Sequence, residues 1–247
     1  MAQTIQEPSA RLSPSTEDYL KAIYKLEEGD PVPTKALAGE LEIAAASVTG
    51  MTKRLAERGL IEREPYKGAT LTDAGTKVAL EVIRHHRLLE LYLKEEIGHS
   101  WEELHEEAER LEHHISEAFE DRLDELLDHP TRDPHGHPIP TRSGEVEETA
   151  TQRLADLEDG DRAVVGHLSD KNPALLEHLE ECGLMPGASL EVTEAQKVTE
   201  VQEVTEAQEV TEAQAFEEPI AVRVEGGDPQ LVGRVVARSV FVFLAAS

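Results

Sequence analysis

The residues best suited to chemistry lie between His85 and His137, a span holding nine of the chain's eleven histidines. Within the stretch WEELHEEAERLEHH, residues 101–114, Glu109, Glu112 and His113 stand at i, i+3 and i+4. A helix would project these two carboxylates and the imidazole from one face, with His105 a turn earlier. Upstream, in residues 77–96, His86 and Glu90 form a second imidazole and carboxylate pair at i, i+4. Alone, E-x-x-E-H on an acidic helix reads as a solvated face. Two helices that each offer such a pair read instead as a bundle-type site for a divalent metal.

Those ligands need helices to carry them. Leu104, Ala108, Leu111 and Ile115 recur at three- and four-residue spacing, which predicts a one-sided helix over 101–114 beside the ligand face. A further helix is expected over 117–128, ended by His129-Pro130 and followed by the extended run DPHGHPIP. The resulting three-helix unit keeps an unused apolar stripe, so a homodimer is expected.

The N-terminal third carries a different pattern. After a polar arm at 1–13, Ser15 is expected to cap a helix with Tyr19, Leu20, Ile23, Tyr24 and Leu26 on its apolar stripe. Helices over 34–41, with Thr34 as cap, and 46–59 are separated by a short break, a helix-turn-helix pattern. The segment LIEREPYKGATLTDAG then alternates on either side of Tyr66-Lys67-Gly68, which predicts a hairpin and completes a winged helix. Lys53, Arg54, Arg58, Arg63 and Lys67 gather in this otherwise acidic chain, where they could meet DNA phosphates or simply pair with Glu57, Glu62 and Glu64. With the winged-helix pattern the DNA reading is preferred. Ser47, Thr49 and Gly50, near the start of the second of these helices, are expected to face the major groove.

A formal net charge of -27 and a pI near 4.7 leave two readings, an acidic disordered tail or a folded protein with an acidic surface suited to concentrated salt. Acidic residues run through every periodic segment, so the halophilic reading is preferred. The single Cys182 excludes an internal disulfide framework and a cysteine-rich zinc site. No apolar run is long enough to span a membrane and MAQTIQEPSA is no signal peptide, so a cytoplasmic protein is expected.

Beyond a linker at 141–153, residues 154–247 predict a small β-barrel with one short helix, using strands near 162–168, 189–192, 220–224 and 239–244. A tandem hexapeptide, VTEAQK, VTEVQE, VTEAQE, VTEAQA, interrupts it at 192–215 and reads as an inert local duplication. The fold class is α+β: a winged helix over 14–75, a helical metal-binding and dimerisation domain over 76–140, and the small barrel.

These motifs resemble a known family. STEDYLKAIYKL at 15–26, the winged helix to Gly75, RHHRLLE at 84–90, HEEAERLEH at 105–113 and PHGHPIP at 134–140 are similar to segments of metal-dependent transcriptional repressors of the diphtheria toxin repressor and manganese transport regulator type. The tail resembles that family's SH3-like domain of the FeoA type. The resemblance implies a primary metal held by Asp18, Glu109, Glu112 and His113, with Asp133 as a possible extra ligand. It implies an ancillary site of His86, Glu90 and His105, completed from the third domain by Asp170. Manganese regulators without that domain carry a Glu where this chain has Lys21, so their two-metal arrangement through that Glu is not transferred. Iron-responsive members typically carry Met and Cys at the positions of Asp18 and Glu109. The harder oxygen ligands here favour Mn2+, with Fe2+ as the alternative.

A metalloenzyme or a metal buffer could use the same ligand types. Against an enzyme, the chain shows no separate nucleophile and no Gly-rich phosphate loop. Metal-dependent operator binding without turnover separates the three readings.

Overall fold

The computed structural model describes residues 12–27, 29–64, 66–169, 172–193 and 219–245. The polar arm up to residue 11, Asp170, and the hexapeptide run from residue 194 lie outside the described residues. The chain forms two compact units.

Among the described residues, the first unit contains those from 12 to 86, 111–115 and 140–145. Helix α1 (Pro14–Leu26) starts two residues earlier than expected, with Ser13 rather than Ser15 at the N-cap and Pro14 in the first turn. Proline fits there because its missing N–H would have no helical acceptor. Tyr19, Leu20 and Ile23 are buried, as their spacing predicts. Helix α2 (Thr34–Glu40) places Thr34 inside the helix and Pro33 at the cap. Helix α3 (Ala45–Glu57) buries Val48, Thr52 and Leu55 along one stripe. Strands β1 (Ile61–Glu64) and β2 (Gly68–Leu71) pair antiparallel, Ile61 opposite Leu71, and Val32 makes a single antiparallel bridge to Ala69. That bridge explains Gly68: its φ is +150, and a Cβ there would sit 2.1 Å from the Val32 carbonyl oxygen. Tyr66, at the wing tip with φ of 66, is fully exposed.

Helix α4 (Asp73–Tyr92) runs from the first unit into the second and closes in a single wide turn at Leu93–Ile97. Helix α5 (Trp101–Leu111) buries Trp101, Leu104 and Ala108. It is shorter than the expected 101–114, so Glu112 and His113 occupy the turn after its last residue. Helix α6 (Glu117–Leu126) is capped by Ser116, whose hydroxyl accepts from the Phe119 N–H. Leu88, Leu91 and Ile139 form a small core in the second unit.

The second unit ends in a six-stranded antiparallel sheet. Its strands are β3 (Gln152–Arg153), β4 (Arg162–Leu168), β5 (Ser189–Thr193), β6 (Ile220–Val224), β7 (Pro229–Val232) and β8 (Val240–Leu244), in the order β3-β8-β4-β5-β6-β7. Helix α7 (Pro173–Glu181) buries Leu176 and Leu179, and the short α8 (Arg234–Ala237) precedes the last strand. Strand β7 and helix α8 were not anticipated. The indole N–H of Trp101 donates to Glu180 at 2.6 Å, and the Lys94 ammonium lies 4.0 Å from the Trp101 ring centroid. These contacts fix α5 against α7. No helix among the described residues is long and apolar enough to cross a membrane.

Candidate metal centre

In the first unit, α1 and the turn after α5 bring Asp18, Glu112 and His113 together, their ligand atoms all within 4.8 Å of one another. His113 Nε2 lies 2.9 Å from Asp18 Oδ1 and 3.4 Å from Glu112 Oε1. An octahedral ion that holds oxygens at about 2.1 Å sets adjacent donors about 3 Å apart, so this spacing suits a divalent cation. Two hard carboxylates and an imidazole also suit manganese or ferrous iron by ligand type.

The cluster has an inner support that sequence reading missed. Glu17 Oε2 is 2.6 Å from His113 Nδ1, which fixes the ring with Nε2 toward Asp18 and Glu112. Glu17 is an acidic residue in the first helical turn, a placement that the helix dipole alone explains, so spacing gave no reason to single it out. His86 Nδ1 lies 2.6 Å from Glu112 Oε2, so this residue, expected in a separate ancillary set, touches the first cluster. The His85 ring also bonds to the Glu112 carbonyl at 3.1 Å.

Opposite charges in this cluster perturb one another. Hydrogen bonding to Asp18, joined by Glu17 and by the nearby Glu112 charge, outweighs burial and raises the His113 pKa to about 9. Burial alone would push the Glu112 carboxyl up, but His86 and Lys21 more than offset it and hold the group below the usual carboxylate range. A neutral-pH protein therefore carries an imidazolium at His113, which must surrender its proton before Nε2 can coordinate. The raised pKa also sets a stability trend. His113 binds its proton more tightly folded than unfolded, so its contribution is complete below about pH 6.5 and is lost as the pH climbs through about 9. Thermal melts of chelated protein are expected to fall more steeply over that window for the wild type than for His113→Gln. Parallel curves would refute the imidazolium assignment.

The remaining expected ligands belong to the second unit or lie outside the description. Glu109 is exposed on α5, with its carboxylate 3.8 Å from His105 Nε2. Of the ancillary set, the second unit holds Glu90 and His105: Glu90 is buried, and its Oε1 lies 3.2 Å from His105 Nδ1. Asp133 is buried there too, and Oδ1 accepts from the backbone N–H groups of His135 and His137. His135 Nδ1 is 3.5 Å from Glu90 Oε2, and the donor atoms of Asp133, His135 and His137 lie within 4.8 Å of one another. Asp133, expected beside the primary ligands, is thus grouped with two histidines that the sequence reading left in a Pro-rich exit. Asp170 lies outside the described residues.

The expected DNA-facing residues occupy one kind of surface. Ser47, Thr49, Gly50, Lys53 and Arg54 are exposed on α3, and Arg63 and Lys67 are exposed on the wing. Val48, Thr52 and Leu55 hold the opposite face of α3 in the core. Lys53 lies 3.9 Å from Glu57 and Lys67 2.7 Å from Glu64, solvent-exposed pairs that phosphate could displace at little cost.

The chain matches the family models described as iron dependent repressor, N-terminal DNA binding domain, over residues 11–69, and iron dependent repressor, metal binding and dimerisation domain, over residues 72–141. The FeoA domain model matches residues 152–204. The chain is 35% identical over 192 residues to the iron-dependent repressor IdeR of Mycobacterium leprae, a match that covers 72% of this chain and 83% of that protein. It is 35% identical over 168 residues to the diphtheria toxin repressor of Corynebacterium glutamicum, covering 68% and 72% respectively. A solved structure of a manganese-dependent transcriptional repressor in complex with manganese is similar with a TM-score of 0.77 and 33% identity, over 93% of this chain and all of that one. ScaR with bound Cd2+ is similar with a TM-score of 0.67 and 30% identity, over 92% and 98%.

Proposed function

Because the chain belongs to the iron-dependent repressor family, we propose that it is a manganese-responsive repressor of metal-uptake genes whose regulatory ion is held by Asp18, Glu112 and His113. The chain is a metal-dependent, DNA-binding transcriptional repressor that dimerises, and not an enzyme. The observation that carries the site assignment is the convergence of Asp18 Oδ1 and Glu112 Oε1 on His113 Nε2, braced from behind by Glu17. Within the second unit, Glu90 and His105, with Asp133 and His135 beside them, are the proposed ancillary ligands. The protein acts in the cytoplasm, where its operator lies.

Asp18 stands on the first helix of the winged-helix unit, and Glu112 and His113 stand in a segment packed into that same unit. When bound, a divalent ion supplies positive charge to these carboxylates and ties them to one another. The residues then hold α1 in one position relative to the turn after α5, and through the shared core they fix α3. A preference of about 1–3 kcal/mol for the DNA-competent arrangement makes a useful switch. Ser47, Thr49 and Gly50 on α3 then meet base edges, while Lys53, Arg54, Arg63 and Lys67 meet phosphates.

The test is anisotropy with a pseudo-palindromic duplex at high potassium chloride. Metal-loaded protein is expected to bind and chelated protein is not; equal affinity in both states would sink the switch. Manganese is favoured over iron because the donors are oxygens and imidazole, without thiolate or thioether. The iron reading draws on the IdeR relatives. Manganese is expected to activate at a lower free concentration than anaerobic ferrous iron, and Asp18→Met to shift the response toward iron. A response to ferrous iron alone would reclassify the repressor.

A further inference from the structure

Lys21 follows Asp18 by one turn on α1, yet its side chain is only 6% exposed. Its ammonium donates to both oxygens of Glu112, at 2.9 Å to Oε1 and 2.8 Å to Oε2, and lies 3.4 Å from His86 Nδ1. A carboxylate that clasps a cation with both oxygens is the arrangement a bidentate ligand offers a metal ion. Here the clasped cation is part of the chain.

We propose that Lys21 is a resident counter-ion that occupies Glu112 in the metal-free protein and must yield Oε1 for a divalent ion to be taken up, so that Lys21 sets the affinity threshold of the site. This rests on the assignment of Asp18, Glu112 and His113 as the metal ligands. Oε1 is the oxygen that faces His113 Nε2, and Lys21 holds the same oxygen. Oε2 is shared by Lys21 and His86. Uptake through Oε1 leaves two courses. Lys21 withdraws and gives up a buried partner, or it stays and its charge repels the incoming one. Both lower metal affinity relative to a neutral side chain at position 21.

Together with the His113 ring, the same residue helps keep the ligands assembled beforehand, because Glu112 and Asp18 would repel one another without positive charge nearby. A threshold of this kind discriminates by binding strength. Magnesium, which dehydrates reluctantly and favours retained waters, gains least from a carboxylate that must first be released. Lys21 is therefore a positioning and specificity-determining residue toward abundant, weakly binding cations.

The experiment measures Mn2+ and Mg2+ affinity of the full-length protein by competition with a fluorescent metal indicator, without DNA, alongside melting of the chelated form. Lys21→Met is expected to bind Mn2+ about tenfold or more tightly than the wild type, to lower the melting temperature of the chelated form, and to enlarge the Mn2+-induced rise. It is also expected to bind Mg2+ at millimolar concentrations where the wild type does not. Lys21→Arg, which keeps the charge, is expected to stay within about threefold of the wild type. Unchanged or weaker Mn2+ binding by Lys21→Met overturns the proposal. Should that variant not fold without metal, Lys21→Gln, neutral but able to donate to Glu112, must show the same tightening, and its absence likewise overturns it. His113→Ala separates the two levels of inference. If His113→Ala retains every Mn2+ site of the wild type at unchanged affinity, the site assignment and the Lys21 role fall together. If binding is lost in His113→Ala but unaffected by Lys21→Met, only the Lys21 role falls.

Discussion

Glu112→Ala is expected to destabilise the metal-free protein by about 3–5 kcal/mol, the cost of breaking a buried ion pair by removing one partner. The Glu112 side chain is 1% exposed, and its loss leaves the buried Lys21 ammonium and the His86 ring without the carboxylate both contact. The same variant is expected to lose its metal-dependent operator binding. Glu109→Ala makes the contrast, since Glu109 is exposed and its removal should change metal-free stability by no more than about 0.5 kcal/mol. Chemical denaturation in chelator measures the first quantity, and operator anisotropy at saturating manganese the second. A Glu112→Ala protein as stable as the wild type would mean that the buried charges are not organised by this carboxylate.

That contrast marks the limit of what periodicity conveys. Glu109 and Glu112 looked equivalent three residues apart on one helix face, yet α5 ends at Leu111, and one residue is exposed while the other is buried. The spacing still pointed to Glu112 and His113, because the first turn beyond a helix keeps much of its angular progression. Winged-helix elements were legible for a stronger reason. Val48 and Leu55 on α3, and the hairpin either side of Tyr66-Lys67-Gly68, satisfy local pattern and tertiary packing at once.

Lys21 and Glu17 were not legible as site residues. A lysine on an amphipathic helix ordinarily extends to water, and what buries this one is a carboxylate 91 positions away. Glu17 satisfies a local rule, so its bond to His113, 96 positions away, leaves no local trace. In the second unit, β7 escaped because it begins with Pro229, a residue that argues against a central strand. It stands at the edge of the sheet, where a missing N–H costs no ladder bond.

The loss expected for His113→Ala is the larger functional one, because that ring joins both carboxylate partners of the cluster and carries its only nitrogen among the assigned primary ligands. Metal-dependent operator binding should disappear. Glu17→Gln grades the claim. Glu17 touches no proposed ion, but it holds Nδ1 at 2.6 Å and so orients Nε2. Loss of such an outer partner typically weakens metal affinity about 10–100-fold. Operator binding should then be recoverable by raising free manganese, which cannot rescue His113→Ala. His86→Ala is expected to weaken the response without abolishing it, since His86 acts on Glu112 Oε2 and leaves Oε1 facing His113. Indicator competition for metal affinity, run beside operator anisotropy over a manganese series, separates the three. If Glu17→Gln matches the wild type in metal affinity, the ring is held by other contacts and the support assigned to Glu17 is wrong. If His86→Ala and His113→Ala behave identically, the distinction between ligand and supporting residue does not hold in this cluster.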